Sequence, residues 1–200
     1  MTKLLETARE LVKMLEEQVK DTKVRLSECE PGQIIVSNGN KYKVLKHLGD
    51  GTTLIIPMIL MLENEQFDKN TRNYKESNLK KKIETECLPV LEEDFGADNL
   101  VEHEVDLTSV DMQNEFGTCR CKARPITFDE ARKHNDLLVE KNLPDWWWTC
   151  TPWSTEERGW SSSLAVVSPG GDVGRSNCFS NCGVRPVCIL KSNIFVSKGE

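Results

Sequence analysis

Three consecutive tryptophans, Trp146 to Trp148, constrain the fold of this 200-residue chain more than any other feature of its sequence. Trp153 follows, so four of the five tryptophans lie within one stretch of eight residues. Because neighbouring side chains of a strand point to opposite faces, Trp146 and Trp148 share one face and Trp147 takes the other. We predict a strand here, with an aromatic core that buries two of the three indoles.

Trp153 and Trp160 lie in a different context, a segment rich in Ser, Thr and Glu without strand alternation. We expect these two indoles to be displayed, with a lid over the core as the alternative. From Trp146 onward, aromatic, Ser, Gly and Asn residues replace the Lys and Glu of the preceding sequence. Rings and small polar groups on anchored loops are the composition of antibody paratopes. This composition indicates a binding surface.

The first 28 residues have the periodicity of an amphipathic helix that Pro31-Gly32 terminates. Positions at alternating spacings of three and four form the seam, namely Leu5, Ala8, Val12, Leu15, Val19, Thr22 and Leu26. This helix could pack on its own domain or pair with copies of itself. The seam favours self-association through residues 4–26, as a dimer or a trimer. We therefore divide the chain into a helical stem (1–29) and one domain (31–200).

The pattern after Pro31-Gly32 predicts an α+β domain with a mostly antiparallel sheet. Asn38-Gly39 is a strong hairpin turn signal, and Gly49-Asp50-Gly51 leads into a third strand. Thr127, with Glu130 three residues on, forms a capping box that opens a helix. The other predicted elements are a helix over Glu76 to Leu88 and strands over Leu164 to Val167 and Val184 to Leu190.

Charge and hydropathy exclude several functions. A net charge of −6 and a pI near 5.3 argue against nucleic acid as the main partner. The chain is basic from Lys69 to Lys82, and then has eleven acidic residues and no Lys or Arg from Glu84 to Glu115. That acidic stretch is interpreted as a solvated face in preference to an acidic docking surface. No apolar run is long enough to span a membrane, and the first ten residues lack the features of a signal peptide, so we expect neither membrane insertion nor general secretion.

The residues that usually carry catalysis do not form a motif. No phosphate loop, HExxH sequence or nucleophile elbow is present, and His47, His103 and His134 are far in sequence from any nucleophile motif. The eight cysteines form no CxxC pair, so we expect reduced thiols packed as small hydrophobic groups and no metal site. We expect no cofactor and a protein that is not an enzyme.

Several motifs together resemble two related groups of proteins. They are W-W-T-x-T-P (147–152), A-x-V-x-x-x-G-x-V (165–173), G-V-R-P-V-x-x-L (183–190) and S-N-I-F-V-S (192–197), with weaker similarity over 31–45, 74–79 and 127–131. One group is a prophage-associated bacterial domain of unknown function. The other is the variable proteins of diversity-generating retroelements. The resemblance covers about 165 residues, and G-V-R-P is its most specific element.

The resemblance implies a C-type-lectin-like fold with two main helices. It also implies that Arg185 is structural and that residues 174–182 are displayed toward a ligand. Adding the loop after Trp147 gives the predicted ligand-binding residues, namely Thr151, Trp153, Thr155, Arg158, Trp160, Arg175, Ser176, Asn177, Phe179 and Asn181. The expected ligand is a surface protein or a glycan.

The genes of such variable proteins are diversified by mutation of adenines, and the mutated codons do not encode Lys, Glu, Gln, Met or Trp. None of these five residue types occurs from Ser161 to Gly183. A loop rich in small residues would show the same gap.

Departures from related families define the alternatives. The chain lacks the Glu-Pro-Asn, Gln-Pro-Asp and Trp-Asn-Asp motifs of calcium-dependent lectins, so we predict no calcium. Cys178 and Cys182 have a spacing similar to the cysteine pair of formylglycine-generating enzymes, which provide the enzymatic alternative. A purely structural phage tail component is the third possibility. The resemblance implies a phage or prophage origin and localisation on the particle, with the cytoplasm as the alternative.

Overall fold

The computed structural model describes residues 23–199, together with Leu5 and Arg9. The helix predicted over the first 28 residues does not include residues 23–28, which form strand β1 (Lys23–Arg25) and a 3-10 helix (Leu26–Glu28). Leu26 is fully buried, and its amide donates to the Ile194 carbonyl at 2.9 Å. Its assignment to the helical seam was therefore wrong, because pairing with the C-terminal strand overrides local helix propensity. Leu5 is exposed, and the rest of the predicted seam lies outside the described residues.

A seven-stranded sheet has the strand order β1-β14-β2-β3-β4-β13-β8. All its described pairings are antiparallel. Asn38 and Gly39 have φ of 49° and 86°, which confirms the predicted turn of the β2–β3 hairpin. The strands are β2 (Ile34–Ser37), β3 (Asn40–His47), β4 (Thr52–Pro57), β8 (Ala123–Pro125), β13 (Pro186–Lys191) and β14 (Phe195–Lys198).

A second, five-stranded sheet has the order β11-β10-β9-β12-β5. The pairing of β9 with β12 is parallel and the others are antiparallel. Its strands are β5 (Leu62–Gln66), β9 (Trp147–Pro152), β10 (Ser163–Val167), β11 (Val173–Asn177) and β12 (Asn181–Val184). A separate hairpin is formed by β6 (His103–Asp106) and β7 (Thr118–Cys121).

The strand predicted from Val184 to Leu190 is interrupted at Arg185, where the chain passes from the five-stranded to the seven-stranded sheet. Arg185 is fully buried, and its Nε and Nη1 donate to the carbonyls of Pro57 (2.7 Å) and Leu138 (3.0 Å). Arg185 therefore has the internal hydrogen bonds expected of a structural residue, but at a crossover between sheets.

Within residues 23–199, one main helix packs on the domain, where the resemblance implied two. It runs from α1 (Asn78–Lys82) through a π-helical turn (Ile83–Cys87) into α2 (Leu88–Phe95). The capping box of Thr127 and Glu130 is confirmed, but it opens only α3 (Phe128–Lys133), followed by α4 (Asn135–Leu138). His134 leaves the helical conformation between them (φ −113°, ψ 21°), which keeps the second helix short.

The core lies on both faces of β9. Trp148 packs in the larger apolar cluster with Phe67, whereas Trp147 packs in the smaller cluster with Leu138. Both indoles are fully buried and Trp146 is 37% exposed, which confirms the expectation of two buried tryptophans in three. All eight cysteines are buried and unbridged. Among the helices of the described part of the chain, none is long and apolar enough to cross a membrane.

Candidate ligand-binding surface

Two irregular segments meet beside the β10–β11 hairpin and form a surface that we call the display face. It consists of the loop 153–162, strand β11 and the turn 178–180. The loop is fixed at both ends, because the Trp153 amide donates to the Ser163 carbonyl (2.8 Å) and the Cys178 amide donates to the Ser162 carbonyl (2.7 Å). These bonds hold the two segments in a defined register.

A cation–π pair joins the loop 153–162 to strand β11. The Arg175 guanidinium carbon lies 4.6 Å from the centre of the Trp160 ring. Arg175 is exposed and Trp160 is half-buried beneath it. In the described residues Arg175 has no carboxylate partner, so its charge faces solvent. Indole stacking restricts the guanidinium, which reduces the entropy lost when a ligand binds.

Asp111 holds the loop 153–162 in place, and nothing in the sequence pattern pointed to it. It accepts hydrogen bonds from the hydroxyls of Ser109 and Ser154, each at 2.6 Å, and forms an ion pair with Arg158. Bonds from Ser109 and Ser154, followed by those from Arg158, lower the pKa of Asp111 to about 2. Arg158 is therefore an exposed residue with an internal partner, and it contributes to loop geometry.

The turn 178–180 is fixed from the other side by β5 and the residues around it. The Gln66 side-chain Nε2 donates to the Phe179 carbonyl at 2.8 Å, and the Asn181 side-chain Nδ2 donates to the Asn64 side-chain oxygen at 2.9 Å. Phe179 nevertheless projects outward and is 51% exposed. Gln66 and Asn64 are thus supporting residues that the sequence did not reveal, because they are more than 110 positions away from their partners.

The display face brings together most of the predicted ligand-binding residues. Thr151 is an exception, because it is buried in β9 and its hydroxyl accepts from the Phe128 amide at 2.9 Å. The Asn177 side-chain oxygen accepts from the Ser162 and Ser163 hydroxyls, at 3.2 and 3.3 Å. Of the predicted residues on this face, the exposed ones are Arg158, Arg175 and Phe179, and the half-buried ones are Trp153, Thr155, Trp160, Ser176 and Asn177. Asn181 is exposed directly after it, at the start of β12.

Two thiols, Cys178 and Cys182, lie beneath this face. Both are buried, and burial is the main cause that raises the pKa of each, to about 11 for Cys182. At neutral pH such thiols are protonated, whereas a cysteine that acts as a nucleophile or metal ligand is a thiolate.

A polar cleft of about 230 Å³ lies between β6 and the start of α3, and Ser109 and Thr151 are among its lining residues. Its floor contains Arg124, which is 3% exposed. Arg124 donates through Nη1 and Nη2 to both oxygens of Glu130 (2.7 and 2.6 Å), and through Nε to His103 Nε2 (3.0 Å). The cleft is therefore built around a buried ion pair whose cation is already bonded.

This network predicts an acid-sensitive fold. Burial, followed by the neighbouring Arg124 charge, lowers the pKa of His103 below its usual value of 6.5. The unfolded chain then binds a proton at His103 more tightly than the folded chain does. The stability that neutral His103 contributes is therefore present above pH 6.5 and is lost as the pH falls through the folded pKa. We expect the urea midpoint to fall between pH 7 and pH 5, and to fall less in His103→Gln. An equal fall in both proteins would contradict a role for His103.

No protein-family model, no curated protein and no solved structure matches this chain. Within residues 23–199, no group of three or more His, Cys, Asp or Glu side chains is arranged to hold a metal ion. The display face is distinguished by its own geometry: exposed aromatic and guanidinium groups stand on a frame of buried strands.

Proposed function

We propose that this chain is a non-catalytic ligand-binding protein and that the display face is its contact surface. The observation that carries this proposal is the Arg175–Trp160 pair. It joins the loop 153–162 to β11 at 4.6 Å and leaves the cation facing solvent. Aromatic and Arg side chains dominate the binding energy of most protein interfaces. Phe179 adds a half-exposed phenyl ring nearby in sequence on the same face.

The frame beneath these groups supports the same proposal. Trp147, Trp148, Val184 and Arg185 are fully buried, and hydrogen bonds fix both ends of the loop 153–162. A surface whose loops are already ordered loses less conformational entropy on binding. The buried, protonated thiols of Cys178 and Cys182 favour binding over the cysteine-based enzymatic alternative.

The sequence resemblance extends the proposal to the biological setting. A C-type-lectin-like fold, display on a phage or prophage-derived particle and diversification of residues 174–182 are all implied by that resemblance. The strand and helix arrangement, α+β with mostly antiparallel sheets, agrees with such a fold at the level of class. A surface protein and a glycan are both ligands that aromatic, guanidinium and amide groups could contact.

Three substitutions on the display face test the proposal. The intact protein and the variants Phe179→Ala, Arg175→Ala and Trp153→Ala are screened on glycan and surface-protein arrays, and any ligand is titrated. We expect Phe179→Ala and Arg175→Ala each to weaken binding by about thirtyfold, because truncation of a hot-spot residue costs about 2 kcal/mol. Trp153→Ala is expected to weaken it less, since this indole is half-buried.

Matched controls distinguish the display face from the rest of the surface. Phe195 is also an exposed phenylalanine (61%), but it lies on β14 in the other sheet. Arg132 is an exposed arginine on α3. Phe195→Ala and Arg132→Ala should leave the affinity unchanged. If a ligand binds the display-face variants and the control variants equally well, the contact surface lies elsewhere.

A further inference from the structure

Among the described residues, strand β11 is an edge of the five-stranded sheet and pairs with β10 alone. In the register of the two strands, Ala165 lies opposite Arg175. At the two ends of the hairpin, the Ser168 amide donates to the Asp172 carbonyl and the Cys178 amide donates to the Ser162 carbonyl, and these bonds show which opposite pairs are hydrogen-bonded. In an antiparallel ladder such pairs alternate. The main-chain groups of Gly174 and Ser176 therefore point toward β10, and those of Val173 and Arg175 point away from the sheet.

The other sheet edges in the described part of the chain are protected against pairing. Strands β1 and β8 have three residues each, and β8 contains Pro125. Strand β5 carries Glu63 and Glu65, and its register is irregular beside Asn64, which has φ of 58°. Short length, proline, charge and irregularity are the usual devices that prevent edge-to-edge association. The β6–β7 hairpin likewise carries charged residues on both strands.

Strand β11 has none of these devices except one charge. It is five residues long, contains no proline and pairs with β10 without a register shift. Its one charged residue, Arg175, lies over the Trp160 ring. Gly174 leaves room for the Trp146 ring against the strand, because a Cβ there would lie 3.0 Å from that ring. The outer edge of β11 is thus regular, its residues are half-buried or exposed, and it lies within the display face.

We propose that β11 is a docking edge, on which an extended segment of a protein ligand adds as a further strand through main-chain hydrogen bonds to Val173 and Arg175. This inference rests on the proposed function and deepens it by naming a polypeptide as the ligand. Strand addition of this kind derives its affinity from the main chain and its specificity from alternate side chains. Arg175 has no carboxylate partner among the described residues, so its charge selects a segment with an acidic side chain opposite it. The same charge disfavours antiparallel pairing with a second copy of β11 centred on Arg175, which would place two arginines opposite each other.

The experiment separates the main chain of Arg175 from its side chain. The intact protein is immobilised and panned with a displayed library of random peptides of about twelve residues, and a glycan array is run in parallel. Arg175→Ala removes the guanidinium and keeps the amide hydrogen. Arg175→Pro removes both, and the ladder bonds at Gly174 and Ser176 remain because proline is tolerated where the N–H faces outward at a sheet edge.

We expect the selected peptides to contain an acidic residue flanked by β-forming residues, and to slow hydrogen exchange at the Val173 and Arg175 amides. Arg175→Ala should weaken their binding, and Arg175→Pro should weaken it by about fivefold more, the effect of one further hydrogen bond. Selected peptides that are N-methylated at alternate positions should lose binding to the unaltered protein. This second measurement holds even if Arg175→Pro does not fold.

Peptides that bind Arg175→Pro and Arg175→Ala equally and tolerate N-methylation would overturn the docking edge. If Phe179→Ala still abolished their binding, the proposed function would stand without it. If ligands were found only on the glycan array and their binding were lost in Phe179→Ala, the docking edge would likewise fall and the proposed function would stand. Ligands unaffected by any of these variants, or no ligand from either screen, would count against both proposals.

Discussion

Replacement of Trp148 by alanine is expected to lower the free energy of unfolding by about 3–5 kcal/mol, the usual cost of removing a large aromatic side chain from a core. Trp148 is fully buried in β9, and its ring packs edge-on against Phe67 at 5.6 Å. Its indole nitrogen donates to the Glu65 carbonyl at 2.8 Å, which ties β9 to β5. The substitution therefore leaves a cavity and removes a bond between strands. Urea denaturation followed by far-UV circular dichroism measures the effect.

The neighbouring tryptophan provides a matched control for the hydrogen bond. Trp147 is equally buried, but its indole nitrogen has no hydrogen-bond partner among the described residues. Phenylalanine at either position keeps an aromatic ring, so Trp148→Phe should cost about 1 kcal/mol more than Trp147→Phe. Equal costs for the two phenylalanine variants, or a loss below about 2 kcal/mol in Trp148→Ala, would contradict this account of the core.

Glu130→Gln is expected to destabilise the fold by about 3 kcal/mol, although the side chain changes little in size. Glu130 accepts two hydrogen bonds from Arg124, whose side chain is 4% exposed. Removal of one partner of a buried ion pair leaves the other charge uncompensated. The glutamine oxygen can still accept from the Thr127 amide, so the loss reports mainly on the ion pair. The measurement is again the free energy of unfolding in urea.

Asp129→Asn is the control, since it makes the same change one residue earlier. Asp129 pairs with Arg132, and both side chains are 69% exposed, so this substitution should cost less than about 0.5 kcal/mol. Burial raises the pKa of Glu130, but the hydrogen bonds and charge of Arg124 outweigh it and leave the pKa lowered. The stability from Glu130 is therefore present above its ordinary pKa of 4.5 and is lost as the pH falls. Similar losses in both variants, or a Glu130→Gln deficit that does not shrink in acid, would refute the role of the pair.

Local sequence signals predicted those elements whose conformation depends on adjacent residues. The Asn38-Gly39 turn follows from the positive φ that these two residues tolerate, and the start of α3 follows from the bonds between Thr127 and Glu130. The burial of two adjacent tryptophans follows from strand alternation. Each of these features needs information from only a few neighbouring positions.

Only the tertiary structure decided the features that depend on distant partners. Residues 23–28 have helical periodicity but form a strand and a 3-10 turn, because β1 pairs with β14 and Leu26 is buried beside Ile194. Arg185 interrupts an apparently continuous strand, because its guanidinium is bound by the carbonyls of Pro57 and Leu138. The display face likewise depends on the Arg175–Trp160 contact and on the bonds of Asp111. Sequence determines such contacts only through the fold as a whole, because packing and long-range hydrogen bonds outweigh the weak local preferences of single segments.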